Sequence, residues 1–427
     1  MEKLSIKGGK PLYGEIYISG SKNSALPIMA ASLLTEDTLV LSNVPFLVDV
    51  TTMSKLLVQH GVDFCVDGSS FENNCSGKRI LFNAANVNNL QAPYEIVRKM
   101  RASVIVLGPL LARFGRAKVS LPGGCAIGTR PVDLHIKGLE AMGAKIELEE
   151  GYICAEAPNG LHGAEITFDK VSVGATENVM MAATLANGIT IINNAAKEPE
   201  IIDLGNCLKA MGADIEGLGS DKIVIKGINK LKGANYRVIS DRIEAGSFAA
   251  MVGATGGEIK LQNFNIDLFH NVLDKFEEIG VNIVPEKDGI LVKRKEERLK
   301  AAEIITQPHP GFPTDLQAQF MAMTTIAEGV STIQENIFEN RFMHVPELIR
   351  MGANIKLNGN MALIKGVERL KGAQVMATDL RASMSLLIAA LSTDEETIVN
   401  RIYHIDRGYE RIEEKLQKCG AVIQRLK

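Results

Sequence analysis

The chain lacks a Cys-x-x-Cys pair, an excess of charge of either sign, an apolar run long enough for a membrane span, and the apolar core of a signal peptide behind its Met1-Glu-Lys-Leu-Ser-Ile-Lys start. Each lack removes a class of protein. Six scattered cysteines (Cys65, Cys75, Cys125, Cys154, Cys207, Cys419) fit neither a disulfide framework nor a zinc site, so five read as structural thiols. With 47 basic against 50 acidic side chains, the net charge of −3 gives no general attraction to nucleic acid or an anionic membrane. Neither is expected as a partner, any bound anion must be held locally, and the cytoplasm is the expected compartment.

What is present is a soluble-type composition, 46% hydrophobic and 23% charged over 427 residues, long enough for two or three domains. The stretch Leu121-Pro-Gly-Gly-Cys-Ala-Ile-Gly-Thr-Arg-Pro-Val-Asp-Leu-His135 puts a thiol, a guanidinium and a carboxylate on one glycine-rich connection. Its glycines free the backbone around Cys125, and Pro131 is placed to open a helix that continues through Ile136, Leu139 and Met142. Taken alone, the stretch also fits a surface turn that happens to hold a cysteine.

Self-similarity along the chain places the loop in a larger pattern. A helix ending and the strand after it recur six times, around Gly61, Gly143, Gly212, Gly280, Gly352 and Gly420, each glycine standing where a helix terminus needs a left-handed residue. The period is roughly 70 residues, longer than the usual solenoid unit. A helix start followed by an apolar helix also recurs, at Ser21, Met100, Ser172, Asp241, Thr314 and Thr378. The helices predicted from it, such as Val104 to Ala112, Val179 to Ala186 and Met384 to Leu391, are apolar nearly all round and are expected to be buried. Alternating β-branched runs such as Thr38-Leu-Val-Leu, Ile189-Thr-Ile-Ile and Lys222-Ile-Val-Ile-Lys predict the strands.

The sixth unit stops without the strand pair that follows in the others, and residues 4–20 supply it. The chain is therefore expected to close on itself, with six units split three and three. One lobe would be residues 21–239 and the other 1–20 plus 240–427, joined by two crossings that can act as a hinge over a cleft.

Charged groups cluster at equivalent positions of the repeat. Helix starts carry Lys22 with Asn23, Arg101, Lys170 just before Ser172-Val-Gly174, Asp241 with Arg242, Asp315 and Arg381. Connections carry Cys125 and Arg130, Glu339-Asn-Arg341, and His404-Ile-Asp-Arg407. Helix N-termini favour anions, and arginine adds bidentate hydrogen bonds to phosphate or carboxylate. Any one of these arginines also fits a solvated surface position. Their shared repeat positions point instead to a small substrate with more than one anionic group.

The stretches Ser21-Lys-Asn-Ser-Ala-Leu-Pro, Leu121-Pro-Gly-Gly-Cys-Ala-Ile-Gly, Arg130-Pro-Val-Asp-Leu-His, Lys170-Val-Ser-Val-Gly-Ala-Thr, Phe312-Pro-Thr-Asp-Leu-Gln, Phe338-Glu-Asn-Arg-Phe-Met-His, Asp379-Leu-Arg-Ala-Ser and His404-Ile-Asp-Arg-Gly-Tyr closely resemble the enolpyruvyltransferase family, in its branch acting on UDP-N-acetylglucosamine. The resemblance implies an α/β fold, a two-lobed inside-out α/β barrel with three repeats per lobe. It also implies the reaction: the enolpyruvyl group of phosphoenolpyruvate moves to the 3′-hydroxyl of UDP-N-acetylglucosamine with release of phosphate, in peptidoglycan synthesis. By the same resemblance Lys22, Arg101, Arg130 and Arg407 hold phosphoenolpyruvate, helped by Arg341 and Arg381. Asn23 and Asp315 orient the sugar, with Asp315 the base for its hydroxyl. The nucleotide lies against Arg130, Pro131, Val132, Asp133, Leu134, Lys170, Ser172, Val173, Gly174 and Ile337. The resemblance also implies that Cys125 acts as general acid or in product release and is the residue that fosfomycin alkylates in that family.

Those residue types suit the chemistry. Phosphoenolpyruvate reacts at C2 only when C3 gains a proton, so an acid must sit beside C3, and a thiol near nearby arginines can donate and be regenerated. Guanidiniums on the phosphate stabilise the charge of the tetrahedral intermediate and of the leaving phosphate. No step needs a metal or organic cofactor, and the chain carries no cofactor fingerprint. Two other readings stay open: the sister transferase acting on shikimate 3-phosphate, and a non-catalytic nucleotide-sugar-binding paralogue.

Overall fold

A computed structural model describes residues 2–67, 78–122 and 132–427. The described chain carries six sheets of four strands built to one plan. In the third of them, Glu165–Thr167 runs parallel to Ile189–Asn193, which pairs antiparallel with Lys222–Lys226, and that strand pairs antiparallel with Asp214–Glu216. The parallel edge strand is always contributed from outside the unit's own run of strands, and this device ties one unit to the next.

Contacts between Cα atoms divide the chain into two compact units, changing over between Ser19 and Gly20 and between Ile239 and Ser240. Three sheets fall in each. In the unit that begins at Gly20, the last strand, Asn235–Arg237, lies parallel to the first, Thr38–Val44, and closes the set of three. In the other unit the N-terminal segment does two jobs. Lys3–Lys7 lies between Glu396–Asn400 and Val422–Leu426 and completes the sixth sheet. Leu12–Tyr17 passes on to the fourth sheet, parallel to Gly257–Gln262. Residues 4–20 thus provide the missing strand pair, its second member being handed on as in every other unit, and the pairing leaves fewer open sheet edges.

Each unit has its own core around its apolar helices. The Lys22 helix (Lys22–Ala31), the Val173 helix (Val173–Ala183), the Arg242 helix (Arg242–Thr255), the Gln317 helix (Gln317–Thr324) and the Ser383 helix (Ser383–Leu391) are buried over almost their whole surface, and the last three pack on one another. Helices apolar on every side have no face to give to water, so they sit inside while the sheets lie outside them. The second unit departs from the expected helix over 104–112. A 3-10 turn, Arg101–Val106, comes first and the α-helix runs Leu107–Phe114, which puts Pro109, with no N–H to donate, in the helix's first turn.

The recurring glycines behave as their positions require. Gly61, Gly143, Gly212, Gly280, Gly352 and Gly420 all have φ between 88 and 104°, the left-handed region that other residues enter at a cost. Side chains cap several helix starts: Ser21 accepts from the Ser24 N–H (3.3 Å), Ser172 from Ala175 (3.3 Å), and Asp241 from Ile243 (2.8 Å) and Glu244 (3.0 Å). No helix among the described residues is long and apolar enough to cross a membrane.

Candidate active site

In the unit containing Ser240–Lys427, the helix starts of the repeat bring a chain of charges together. Asp315 sits in a 3-10 turn, Thr314–Leu316, ahead of the Gln317 helix. Its Oδ1 lies 2.8 Å from Arg341 Nη2 and its Oδ2 3.4 Å from Arg381 Nε, while Arg381 Nη2 lies 3.7 Å from Asp241 Oδ2. The Arg381 side chain is only 3% exposed, and its guanidinium carbon stands 5.4 Å from the centroid of the Tyr409 ring. The carboxylates and the ring outweigh the cost of burial and hold Arg381 charged. Among the described residues its guanidinium is held by the two carboxylates at ion-pair distance and by the Tyr409 ring.

Below this lies a neutral hydrogen-bonded floor. Gln319 Nε2 shares its two N–H groups among the Asp315 carbonyl (2.9 Å), Ser247 Oγ (3.1 Å) and Tyr409 Oη (3.2 Å), and Ser247 and Tyr409 bond each other at 2.9 Å. Arg407 ends the Ile402–Arg407 turn, which packs on the Ser383 helix. Its neighbour Asp406 is gripped by Arg425 through two bonds, of 2.7 and 3.0 Å. Ile337 is half-buried on the connection leading to Arg341.

The unit containing Gly20–Ile239 has its own polar group. Lys22, the first residue of its helix, is buried with its Nζ 3.2 Å from Asp49 Oδ2. Half-buried Arg101 opens the 3-10 turn that packs against both the Lys22 and Val173 helices, and Asn23 follows Lys22 on the same helix. Val132 immediately precedes the helix Asp133–Ala141, Asp133 and Leu134 lie in its first turn, and this helix also packs on the Val173 helix. Ser172 caps the latter, Val173 and Gly174 follow, and exposed Lys170 lies just ahead. Cys125, Arg130 and Pro131 lie outside the described residues.

His135 completes this group and was not singled out from the sequence. Asn178 Oδ1 accepts the Gly108 N–H at 2.6 Å, which orients the amide so that its Nδ2 donates to His135 Nδ1 at 2.9 Å. Burial, then the Arg101 charge, pushes the imidazole down to about 4, so it is neutral at pH 7 with its proton on Nε2. That nitrogen faces the start of the Val173 helix, where a Cβ on Gly174 would stand 3.3 Å from it. A side chain at Gly174 would cover the donor. Asp49, Glu335 and Tyr409 were likewise not legible, since each is identified only by what it touches.

The cysteines differ from the sequence reading in one respect. Cys207 and Cys419 are buried thiols whose acidity is suppressed by burial, to about 11 for Cys419, but Cys65 is exposed. Among the described residues no cluster of three or more His, Cys, Asp or Glu side chains is placed to hold a metal.

The sequence profile of the EPSP synthase (3-phosphoshikimate 1-carboxyvinyltransferase) family matches residues 6–416. The UDP-N-acetylglucosamine 1-carboxyvinyltransferase of Paramagnetospirillum magneticum is 56% identical over 427 residues, covering 100% of this chain and 99% of that protein. The chain belongs to the UDP-N-acetylglucosamine 1-carboxyvinyltransferase family. A second member, from Rhodospirillum centenum, is 58% identical over 429 residues, covering 100% of this chain and 99% of its own. Solved structures of enolpyruvyl transferases share the fold. The enolpyruvyl transferase NikO from Streptomyces tendae superimposes with a TM-score of 0.89 at 23% identity, covering 99% of this chain and 98% of that one. An EPSP synthase from Acinetobacter baumannii gives 0.77 at 18% identity with 100% of both chains covered. The α/β architecture with six alike sheets is that of the wider transferase fold.

Proposed function

We propose that this protein transfers the enolpyruvyl group of phosphoenolpyruvate to the 3′-hydroxyl of UDP-N-acetylglucosamine, releasing phosphate, the first committed step of peptidoglycan synthesis, carried out in the cytoplasm. The observation that carries this reading is the full-length identity of 56% to an enzyme named for that activity. The group Asp315, Arg341 and Arg381 supports it, because it fixes a carboxylate that can accept a proton next to guanidiniums that can bind an anion.

In this reading Lys22, Arg101, Arg130 and Arg407 bind the phosphate and carboxylate of phosphoenolpyruvate, with Arg341 and Arg381 adding positive charge. Asn23 and Asp315 orient the sugar, and Asp315 takes the proton of the attacking hydroxyl. The nucleotide lies along Arg130, Pro131, Val132, Asp133, Leu134, Lys170, Ser172, Val173, Gly174 and Ile337. Cys125 protonates C3 or assists product release. Attack of the hydroxyl oxygen at C2 as C3 gains its proton forms a tetrahedral ketal. Loss of a C3 proton with expulsion of phosphate then restores the double bond.

The shikimate 3-phosphate reading has weaker support, since the structures of that enzyme are similar at only 18% identity and bear on the fold alone. Phosphate release measured with phosphoenolpyruvate plus each acceptor separates the two. Turnover with UDP-N-acetylglucosamine that falls by orders of magnitude in Cys125→Ser and Arg407→Ala is the expected result; turnover only with shikimate 3-phosphate, or with neither acceptor, overturns the proposal.

A further inference from the structure

In three of the six sheets an asparagine stands at the exit of the central strand. Asn43, Asn194 and Asn263 have φ of 59, 54 and 60°, and each donates its side-chain amide to a carbonyl where the neighbouring parallel strand ends. The acceptors are Val238 (2.9 Å), Phe168 (2.8 Å) and Ile18 (2.8 Å). This is a structural clasp between two strands. The fifth sheet keeps the same register, with Ile305 opposite Gln334, yet the next residue is Glu335, which is not left-handed and can only accept when ionised.

Glu335 is 3% exposed and its carboxylate takes four hydrogen bonds. Oε1 accepts from Thr306 Oγ1 (3.0 Å) and from the N–H groups of Ile337 (2.8 Å) and Phe338 (3.1 Å), and Oε2 accepts from Thr314 Oγ1 (2.8 Å). Thr306 in turn accepts from the Asn336 N–H at 2.9 Å. The bonds close a ring. Phe338 lies 5.2 Å from the guanidinium of Arg341, Arg341 pairs with Asp315, and Asp315 follows Thr314, which returns to Glu335. In the fifth repeat a clasp between two connections, those that carry Asp315 and Ile337, stands where those three sheets have a clasp between strands.

We propose that Glu335 is a positioning residue for the transfer reaction, its carboxylate holding the Thr314–Asp315 turn at a set spacing from the Ile337–Arg341 connection. The inference rests on the function proposed above. A buried carboxylate with four donors is a rigid junction, because leaving any one of those donors unmet inside the protein costs free energy. Through it the group assigned to the acceptor hydroxyl and the segment assigned to the nucleotide move together, and misplacing a reacting group by about 1 Å costs up to about 100-fold in rate.

Thr314→Val removes one donor with almost no change of shape, and Thr314→Ser keeps it. Steady-state phosphate release with both substrates is expected to show kcat lower by about 10- to 100-fold in Thr314→Val, KM for phosphoenolpyruvate within about twofold of the parent, and recovery in Thr314→Ser. Glu335→Gln, which keeps the three bonds to Oε1 and can reverse the one to Thr314, is expected to retain most activity, whereas Glu335→Ala loses kcat and also raises KM for UDP-N-acetylglucosamine. A parental kcat in Thr314→Val, or equal losses in the Val and Ser variants, overturns the proposal, and these two variants decide it even if Glu335→Ala fails to fold. A parent enzyme that releases no phosphate from this substrate pair instead overturns the assigned function.

Discussion

Asp315 faces two guanidiniums with its two oxygens, Oδ1 toward Arg341 at 2.8 Å and Oδ2 toward Arg381 at 3.4 Å. Asp241 lies on the far side of Arg381, so the cation is shared between two carboxylates. Asp315→Asn keeps the shape and removes the charge that both arginines answer. A base of this kind contributes about 100- to 10,000-fold, so kcat is expected to fall by that order while the protein stays folded. Phosphate release alongside a melting curve checks it; parental turnover in the variant removes Asp315 from the role of base.

Lys22 and Asp49 form a buried pair in the other unit, with side chains 8% and 4% exposed. Breaking a buried pair of this kind by removing one member costs about 3 to 5 kcal/mol. Asp49→Ala is therefore expected to lower stability in a urea titration by roughly 3 kcal/mol and to raise KM for phosphoenolpyruvate, because the ammonium loses its orienting partner. Lys22→Met takes the partner from the buried Asp49 carboxylate and removes the anion contact as well, so stability and turnover are both expected to fall. An Asp49→Ala variant as stable as the parent contradicts the pairing.

His344 is fully buried with neither ring nitrogen hydrogen-bonded among the described residues, and burial, opposed by Asp379 and reinforced by Arg341, brings it down to about 4. Above pH 6.5 neither the folded nor the unfolded chain is protonated there and the effect is absent. As pH falls through the unfolded value near 6.5 the unfolded chain takes the proton first, so stability drops until the folded protein follows near pH 4. The gap corresponds to about 3 kcal/mol. Asp203, raised by burial to about 6, acts with the opposite sign over part of the range, so the difference between variants is the quantity to read. His344→Gln is expected to lose less stability than the parent between pH 6.5 and 4.5, by chemical denaturation at each pH, and identical slopes refute the assignment.

Gly366 and Gly420 separate two reasons for keeping a glycine. A Cβ on Gly366 would lie 1.6 Å from the Ala327 carbonyl oxygen, a backbone atom that cannot turn aside. One on Gly420 meets nothing within 4 Å, and only its φ of 88° resists substitution. Gly420→Ala is expected to cost about 1 to 2 kcal/mol and Gly366→Ala clearly more, with loss of folded protein on expression. Equal melting temperatures for the two contradict the close approach.

Much of the fold was legible because its requirements are local. The left-handed helix ends and the helices apolar on every side depend on a few neighbouring residues, so a period of six copies shows in the chain itself. The sequence also pointed to Asp315, Arg341 and Arg381 as charged groups at repeat positions, but not to their contact. That depends on helix starts far apart in the chain being packed side by side, and on Arg381 being too deeply buried to stay charged without Asp315 and Asp241. The same holds for Asp49, which lies in a helix's first turn like many solvated acids, and for Glu335, which departs from the repeat by one residue yet gathers donors from three separate segments. By itself the sequence determined the repeating unit and the chemical types it carries; the tertiary structure decided which of those groups meet, because burial and the pairing of charges are properties of packing that no stretch of chain contains on its own.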